Sequence, residues 1–123
     1  MKKLTNKQIS KIHEKCLKLV KSKPAEFFQL RKMKASVGLC NWTDIELDYR
    51  RDLISTAYHE CVHYLYPEYS ETMVRYIESR IINRCNALDI SYFLKTLANK
   101  LYKSELTKHV MTKPKNKLTS KKK

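Results

Sequence analysis

The sequence lacks several features that would place it in a particular class of protein. It has no run of about 18 apolar residues, and its lysine-rich start has no apolar stretch like that of a secretory signal. One glycine and three prolines are too few for a turn-rich β-sandwich. We therefore expect a helix-rich cytoplasmic protein that has no membrane partner.

Paired cysteines are also missing. Cys16, Cys40, Cys61 and Cys85 are scattered, and no two of them form the Cys-x-x-Cys pair of a zinc ribbon or a dithiol redox site. We expect all four to be reduced and used as small apolar side chains. Cys61 in particular is expected to face the core.

Acidic residues are scarce at both ends of the chain. Residues 1–23 contain eight lysines and one acid, and residues 108–123 contain seven lysines and no acid. Residues 24–107 contain eleven basic and eleven acidic residues, so the formal net charge of +14 comes from the ends. This distribution predicts either electrostatic binding of nucleic acid or another polyanion by the lysine-rich ends or a solubilising tail. We expect residues 108–123 to be disordered.

Apolar residues at helical spacing predict four helices, over residues 5–21, 52–66, 71–84 and 89–104. Between the first two helices, the segments FFQLRKMKAS and TDIELDYR read as strands of a β-hairpin joined around VGLCNW.

In the second of these segments, Ile45, Leu47 and Tyr49 alternate with Glu46 and Asp48, as in a strand whose first set faces the core. A chain of 123 residues has room for one domain. We expect one α+β domain over residues 1–107, with an N-terminal helix, a β-hairpin or short antiparallel sheet, and three further helices.

The most specific local pattern is His59-Glu60-x-x-His63 on the second predicted helix. Residues four apart lie on one helix face, so the two imidazoles can converge on one cation. Glu60 lies one step further round the helix, where it could accept a proton from a water held by the metal. The pattern predicts two zinc ligands, His59 and His63, and a general base, Glu60; the alternative is a surface helix with solvated histidines. His13 and His109 are expected to be solvated.

A catalytic zinc site needs a third protein ligand and leaves its fourth position to water. Glu71 is the candidate, because the short PEYS turn should fold the next helix back against the metal helix, with Ser70 as its cap. Glu78 lies seven residues further along the same face and fits a supporting or surface role better. An acid in a first helical turn also favours the helix dipole, so the choice between Glu71 and Glu78 stays open here.

The segment GLCNWTDIELDYRRDLISTAYHECVHYLYPEYSETMV resembles small zinc metallopeptidases often encoded by phages, and more remotely SprT-like and minigluzincin proteases. The resemblance covers residues 37–82. It implies a zincin-like domain in which His59, His63 and Glu71 bind Zn²⁺, Glu60 is the base and a peptide or protein is the substrate. It also implies the host cytoplasm or the virion as location. The chain lacks the His-Gly segment that follows the metal helix in SprT-like proteases, so their DNA-linked activity is not implied.

Two functions are compatible with these features. One is a zinc-dependent metallopeptidase that hydrolyses peptide bonds with a metal-bound water activated by Glu60. The other is a non-enzymatic nucleic-acid or virion-associated binding protein with basic ends and a structural or vestigial zinc site. A structural zinc site usually closes its fourth position with a protein ligand, most often Cys, so the predicted open position favours the enzyme.

Overall fold

Helices and a small sheet make up the described part of the computed structural model, which comprises residues 3–34, 38–41, 43–50 and 52–112. The helices are α1 (Asn6–Ser22), α2 (Leu53–Leu65), α3 (Glu71–Arg84) and α4 (Ala87–Thr112). The strands are β1 (Phe28–Arg31), β2 (Gly38–Cys40) and β3 (Ile45–Asp48), and a 3₁₀ turn, Ala25–Phe27, precedes β1. The predicted α+β class, with an N-terminal helix followed by strands and then helices, is confirmed.

The three strands form one mixed sheet in the order β1-β3-β2. β1 and β3 are parallel, with Phe28 opposite Ile45, whereas β2 and β3 are antiparallel, with Cys40 opposite Ile45. A hairpin is therefore present, but the prediction that it joins the segments of β1 and β3 was wrong. The three-residue strand β2 is too short to show an alternating pattern, and it lies within the segment that was predicted to be the turn.

A polar side chain caps each helix in the way its sequence suggests. Thr5, Asp52, Ser70 and Asn86 each accept a hydrogen bond from the backbone N–H three residues later. These bonds satisfy donors that the first turn of a helix otherwise leaves unpaired. The predicted capping role of Ser70 is confirmed, and this cap sets the start of α3 beside the end of α2.

Helix α4 is longer than predicted. It continues past residue 104 to Thr112, so residues 108–112, which were predicted to belong to a disordered tail, are helical and include His109. A helix can extend without core contacts because each added residue gains a backbone hydrogen bond, and Glu105 pairs with Lys108 at 2.6 Å. Residues 113–123, the rest of that predicted tail, lie outside the described residues. No helix in the described ranges is long and apolar enough to cross a membrane.

The core lies around α2, which packs against α1, α3, β2 and β3. Tyr58 of α2 is fully buried and stacks on Phe93 of α4, with ring centroids 4.0 Å apart. Cys61 is buried as predicted, and all four cysteines are free.

His13 was predicted to be solvated, and this was wrong. Its side chain is buried beside Tyr58, and burial lowers its pKa although Asp89 and Glu14 act in the opposite direction. His13 follows Ile9 by four residues, which puts it on the apolar stripe of α1, and that spacing could have identified it as a core residue.

Asp48 and Tyr49 also exchange their predicted environments. Asp48 is fully buried and Tyr49 is 47% exposed, because β3 ends at Asp48 and the alternation of faces stops there. The Asp48 carboxylate accepts hydrogen bonds from the Arg50 side chain and from the backbone N–H groups of Met33 and Arg50. These bonds, chiefly that from the Arg50 guanidinium, hold the pKa of Asp48 well below its usual range. Asp48 thus joins the chain that follows β1 to the chain that leads into α2.

Candidate metal centre

The end of α2 and the start of α3 place three side chains at one point. His59 and His63 lie one turn apart on α2, and Glu71 is the first residue of α3. Between them the chain turns tightly, with the Tyr69 N–H donating to the Tyr66 carbonyl at 3.0 Å and the two tyrosine rings stacked. The turn brings α3 back along α2, as the short PEYS segment predicts.

The Glu71 carboxylate lies between the two imidazoles. Its Oε2 is 2.8 Å from Nε2 of His59, and its Oε1 is 2.8 Å from Nε2 of His63. One ligand atom from each of the three residues can be chosen so that all lie within 4.8 Å of one another. Ligand atoms on one tetrahedral zinc lie about 3.3 Å apart when the bonds are about 2.0–2.1 Å long. Small side-chain rotations would therefore let these three residues hold a zinc ion.

Glu78 contacts the same cluster from another side. Its Oε1 lies 2.8 Å from Nδ1 of His59, the ring nitrogen that points away from Glu71. A carboxylate on the second nitrogen of a metal-binding histidine fixes the ring orientation and keeps the first nitrogen free to bind metal. The geometry therefore places Glu71 where a third ligand would lie and Glu78 where it could orient His59.

The hydrogen count at His59 also fits a bound cation. Each of its ring nitrogens faces a carboxylate oxygen, and a carboxylate can only accept hydrogen bonds. A cation bound at Nε2 would leave Nδ1 to donate to Glu78 from a neutral imidazole, which is the form that binds zinc.

Glu71 is suited to act as an anionic ligand. Burial acts to raise its pKa, but the hydrogen bond with His63 and the charges of His59, His63 and Arg75 outweigh that effect and lower it. Arg75 Nε lies 3.3 Å from Glu71 Oε2, one helical turn further along α3. The carboxylate is thus held in its charged form from both sides.

Glu60 lies in the same cleft but outside the ligand cluster. Its side chain is buried, and none of the described residues donates a hydrogen bond to its carboxylate. Burial raises its pKa, while the neighbouring His59 and His63 act to lower it. The glutamate that the sequence predicts to be a base is therefore an unpaired carboxylate beside the proposed ligands.

Gly38 of β2 allows the strand to approach Glu60 closely. A methyl group at this glycine would lie 2.5 Å from Thr56 Cγ2 and 3.0 Å from both Cγ and Oε2 of Glu60. Because no glycine among the described residues has a positive φ, the glycine serves this approach and not an unusual backbone conformation. Gly38 lies in the segment that was predicted to be a turn, so its contact with the site was not predicted.

The ligand cluster opens into a cleft of about 620 Å³. Its walls come from β2, from Tyr64 of α2 and from Pro67 in the turn between α2 and α3. β2 is at the edge of the sheet, where its outer backbone groups have no partner strand among the described residues. An extended peptide could add to this edge and lie across the ligand cluster.

Three further residues near the motif in the sequence stand outside the ligand cluster. Glu68 is exposed in the turn between α2 and α3, and Trp42 lies outside the described residues. Cys40 lines the cleft, but burial and the charge of Glu60 raise the pKa of its thiol to about 12, which makes it a poor nucleophile. Within the described ranges, His59, His63 and Glu71 are the one group with the spacing of a metal site.

Comparison with known proteins adds no relative from which these roles could be transferred. The chain matches no protein-family model, no curated protein and no solved structure. The site is therefore interpreted from its own residues and their geometry.

Proposed function

We propose that the protein is a zinc-dependent metallopeptidase that hydrolyses peptide bonds in extended segments of protein. One observation carries the proposal. His59, His63 and Glu71 converge in a cleft that Glu60 also lines, and the carboxylate of Glu60 has no hydrogen-bond donor among the described residues. This arrangement supplies three metal ligands and a separate base, which is the minimum set for metal-assisted hydrolysis.

Each residue has a distinct task in this proposal. A zinc ion held by the three ligands would act as a Lewis acid that polarises a peptide carbonyl and lowers the pKa of water. Glu60 would accept the proton of the attacking water and pass it to the departing amine. Glu78 would hold the ring of His59 through Nδ1, 2.8 Å away, so that Nε2 keeps its direction.

We also propose that the chain is related to the small zinc metallopeptidases of phages. The support is the order of its elements: an edge strand that begins at Gly38, a metal helix with His-Glu-x-x-His, a short proline-containing turn, and a returning helix that begins with Glu71. On this proposal, the protein acts in the host cytoplasm or in the virion.

The alternative function is a binding protein with a structural zinc site. Such a site would need a fourth protein ligand, and within the described residues the cluster has three. Cys40 lines the cleft, but it does not belong to the group of candidate ligands. The three-ligand arrangement therefore supports the enzyme over the structural site.

The test compares the parent protein with Glu60→Gln and with Glu68→Gln, which removes an exposed carboxylate from the neighbouring turn. Each is loaded with zinc and assayed on a denatured protein substrate. We expect hydrolysis by the parent to stop with a chelator and to return with added zinc. Glu60→Gln should retain its zinc and lose about a hundredfold or more of the rate, because it removes the base but no ligand. Glu68→Gln should behave as the parent.

Two results would overturn this proposal. One is equal hydrolysis by the parent and Glu60→Gln, which would assign the hydrolysis to a contaminant. The other is a parent that binds zinc yet cleaves no denatured substrate, which would favour the structural site.

A further inference from the structure

A second surface of different chemistry lies where the C-terminal end of α1 meets α4. It is a groove of about 360 Å³ lined by Lys21 from α1 and by Lys95, Lys100 and Lys103 from α4. The ring of Tyr92 and two neutral polar side chains complete its walls, and none of the described residues that line it is acidic. The groove is thus a concentration of positive charge on the folded part of the chain.

Lys100 fixes the position of the two helices at this groove. Its Nζ donates hydrogen bonds to the backbone carbonyl oxygens of Lys21, at 3.1 Å, and of Lys23. These carbonyls lie at the C-terminal end of α1, where backbone acceptors lack helical partners and the helix dipole favours a cation. The contact therefore satisfies α1 and places Lys21 next to α4, with its Nζ 4.8 Å from the centre of the Tyr92 ring.

Lys21, Lys95 and Lys103 are exposed, and none of the three pairs with an acidic residue within the described ranges. Lys95 and Lys103 are eight residues apart on one helix, which corresponds to about 12 Å along its axis. Unpaired like charges that line a concave surface reinforce one another's field and attract an extended polyanion.

We propose that this groove binds the sugar–phosphate backbone of a nucleic acid, without preference for base sequence. The axial distance between Lys95 and Lys103 corresponds to about three to four nucleotides at about 3.4 Å each. Tyr92 is 45% exposed and offers an aromatic ring on which a base can stack. A recessed groove with mostly polar walls admits a single chain more readily than it admits the flat surface of a bilayer. This interaction is independent of the metal centre and of the proposed peptidase activity.

The experiment measures binding of a fluorescent 20-nucleotide single strand and of the matching duplex by anisotropy, between about 50 and 200 mM salt. The full chain is compared with the triple variant Lys21→Gln/Lys95→Gln/Lys103→Gln, the groove variant. The control is Lys3→Gln/Lys7→Gln/Lys11→Gln, which removes the same charge near the N-terminal end of α1. Leu4 and Asn6 hold that end against α3, away from the groove.

We expect the groove variant to bind the single strand at least about tenfold more weakly than the full chain. The control variant should bind less than about threefold more weakly. For the single strand, the slope of the logarithm of the binding constant against the logarithm of the salt concentration should become shallower by about 2 in the groove variant. Each of the three lost phosphate contacts contributes about 0.7 to this slope. Lys95→Glu, compared with Lys7→Glu, repeats the test with one substitution. Zinc content and the circular dichroism spectrum should be unchanged throughout.

Three results would overturn the proposal. An equal loss in the groove and control variants would show that only net charge matters, and no loss in the groove variant would exclude this surface. The third result is a groove variant that loses binding to phosphatidylserine vesicles but keeps binding to nucleic acid. That result would make the groove a membrane-surface site.

Discussion

The metal centre takes its proposed ligands from residues 59–71, whereas the basic groove takes its lysines from residue 21 and residues 95–103. At the proposed metal centre, helical spacing and one short turn bring the candidate ligands together, so a local sequence pattern is enough to predict that these side chains converge. The groove exists only because α1 packs against α4. The comparison shows that sites of local origin can be read in a sequence, whereas sites made by packing need the fold.

The two surfaces also differ in how charge is arranged. At the metal centre, the carboxylates of Glu71 and Glu78 face the imidazoles of His59 and His63. The groove gathers lysines with no acid among the described residues that line it. Counting charge along the sequence hides this surface, because residues 24–107 contain equal numbers of basic and acidic residues and Lys21 lies outside that range.

The largest effect in this comparison is expected from Glu78→Ala. Loss of the contact with His59 Nδ1 should weaken zinc affinity about 10- to 100-fold, because the ring loses its orienting partner. Nucleic-acid binding should stay unchanged, which would separate the two surfaces. Competition with a chromophoric chelator measures the zinc affinity, and Glu68→Ala is the control for charge. If both variants bind zinc equally well, Glu78 does not orient His59.

A smaller effect is expected from Gly38→Ala, which tests how tightly β2 packs on the metal helix. The new methyl would lie 2.5 Å from the buried Thr56 Cγ2, so the strand or the helix must shift. Urea unfolding should show a loss of about 1–3 kcal/mol in the free energy of unfolding, as overpacked sites typically do. Thr56→Ser removes that same Cγ2, so the double variant should regain much of the stability. A double variant no more stable than Gly38→Ala would mean that this contact is not the cause.

Much of the fold could be predicted because the helices carry clear apolar stripes and polar caps. The α+β class and the starts of α1, α2 and α3 follow from such local signals. The pairing of β3 with β2 could not be predicted, because β2 has three residues and no periodic pattern. The parallel direction of β1 and β3 could not be predicted either, because a parallel pair involves no local turn.

Single residues were mispredicted where tertiary contacts override a local pattern. Asp48 continues an alternating strand in the sequence, yet Arg50 and the backbone of Met33 satisfy its carboxylate in the interior. His13 is a different case, because its local spacing already places it on the apolar face of α1 although lysines surround it in the sequence. In the candidate site, the contact between His59 and Glu78 depends on how α2 and α3 pack against each other. Spacing along one helix cannot predict such a contact.

Zinc content measured by mass spectrometry tests the central claim most directly. The parent should hold about one zinc per chain, and His59→Ala and His63→Ala should each hold about a tenth of that or less, because two protein ligands seldom retain zinc stoichiometrically. His109→Ala, on the exposed part of α4, should match the parent, and circular dichroism should show all variants folded. Full zinc in both motif variants would contradict the assignment of the metal centre to His59, His63 and Glu71.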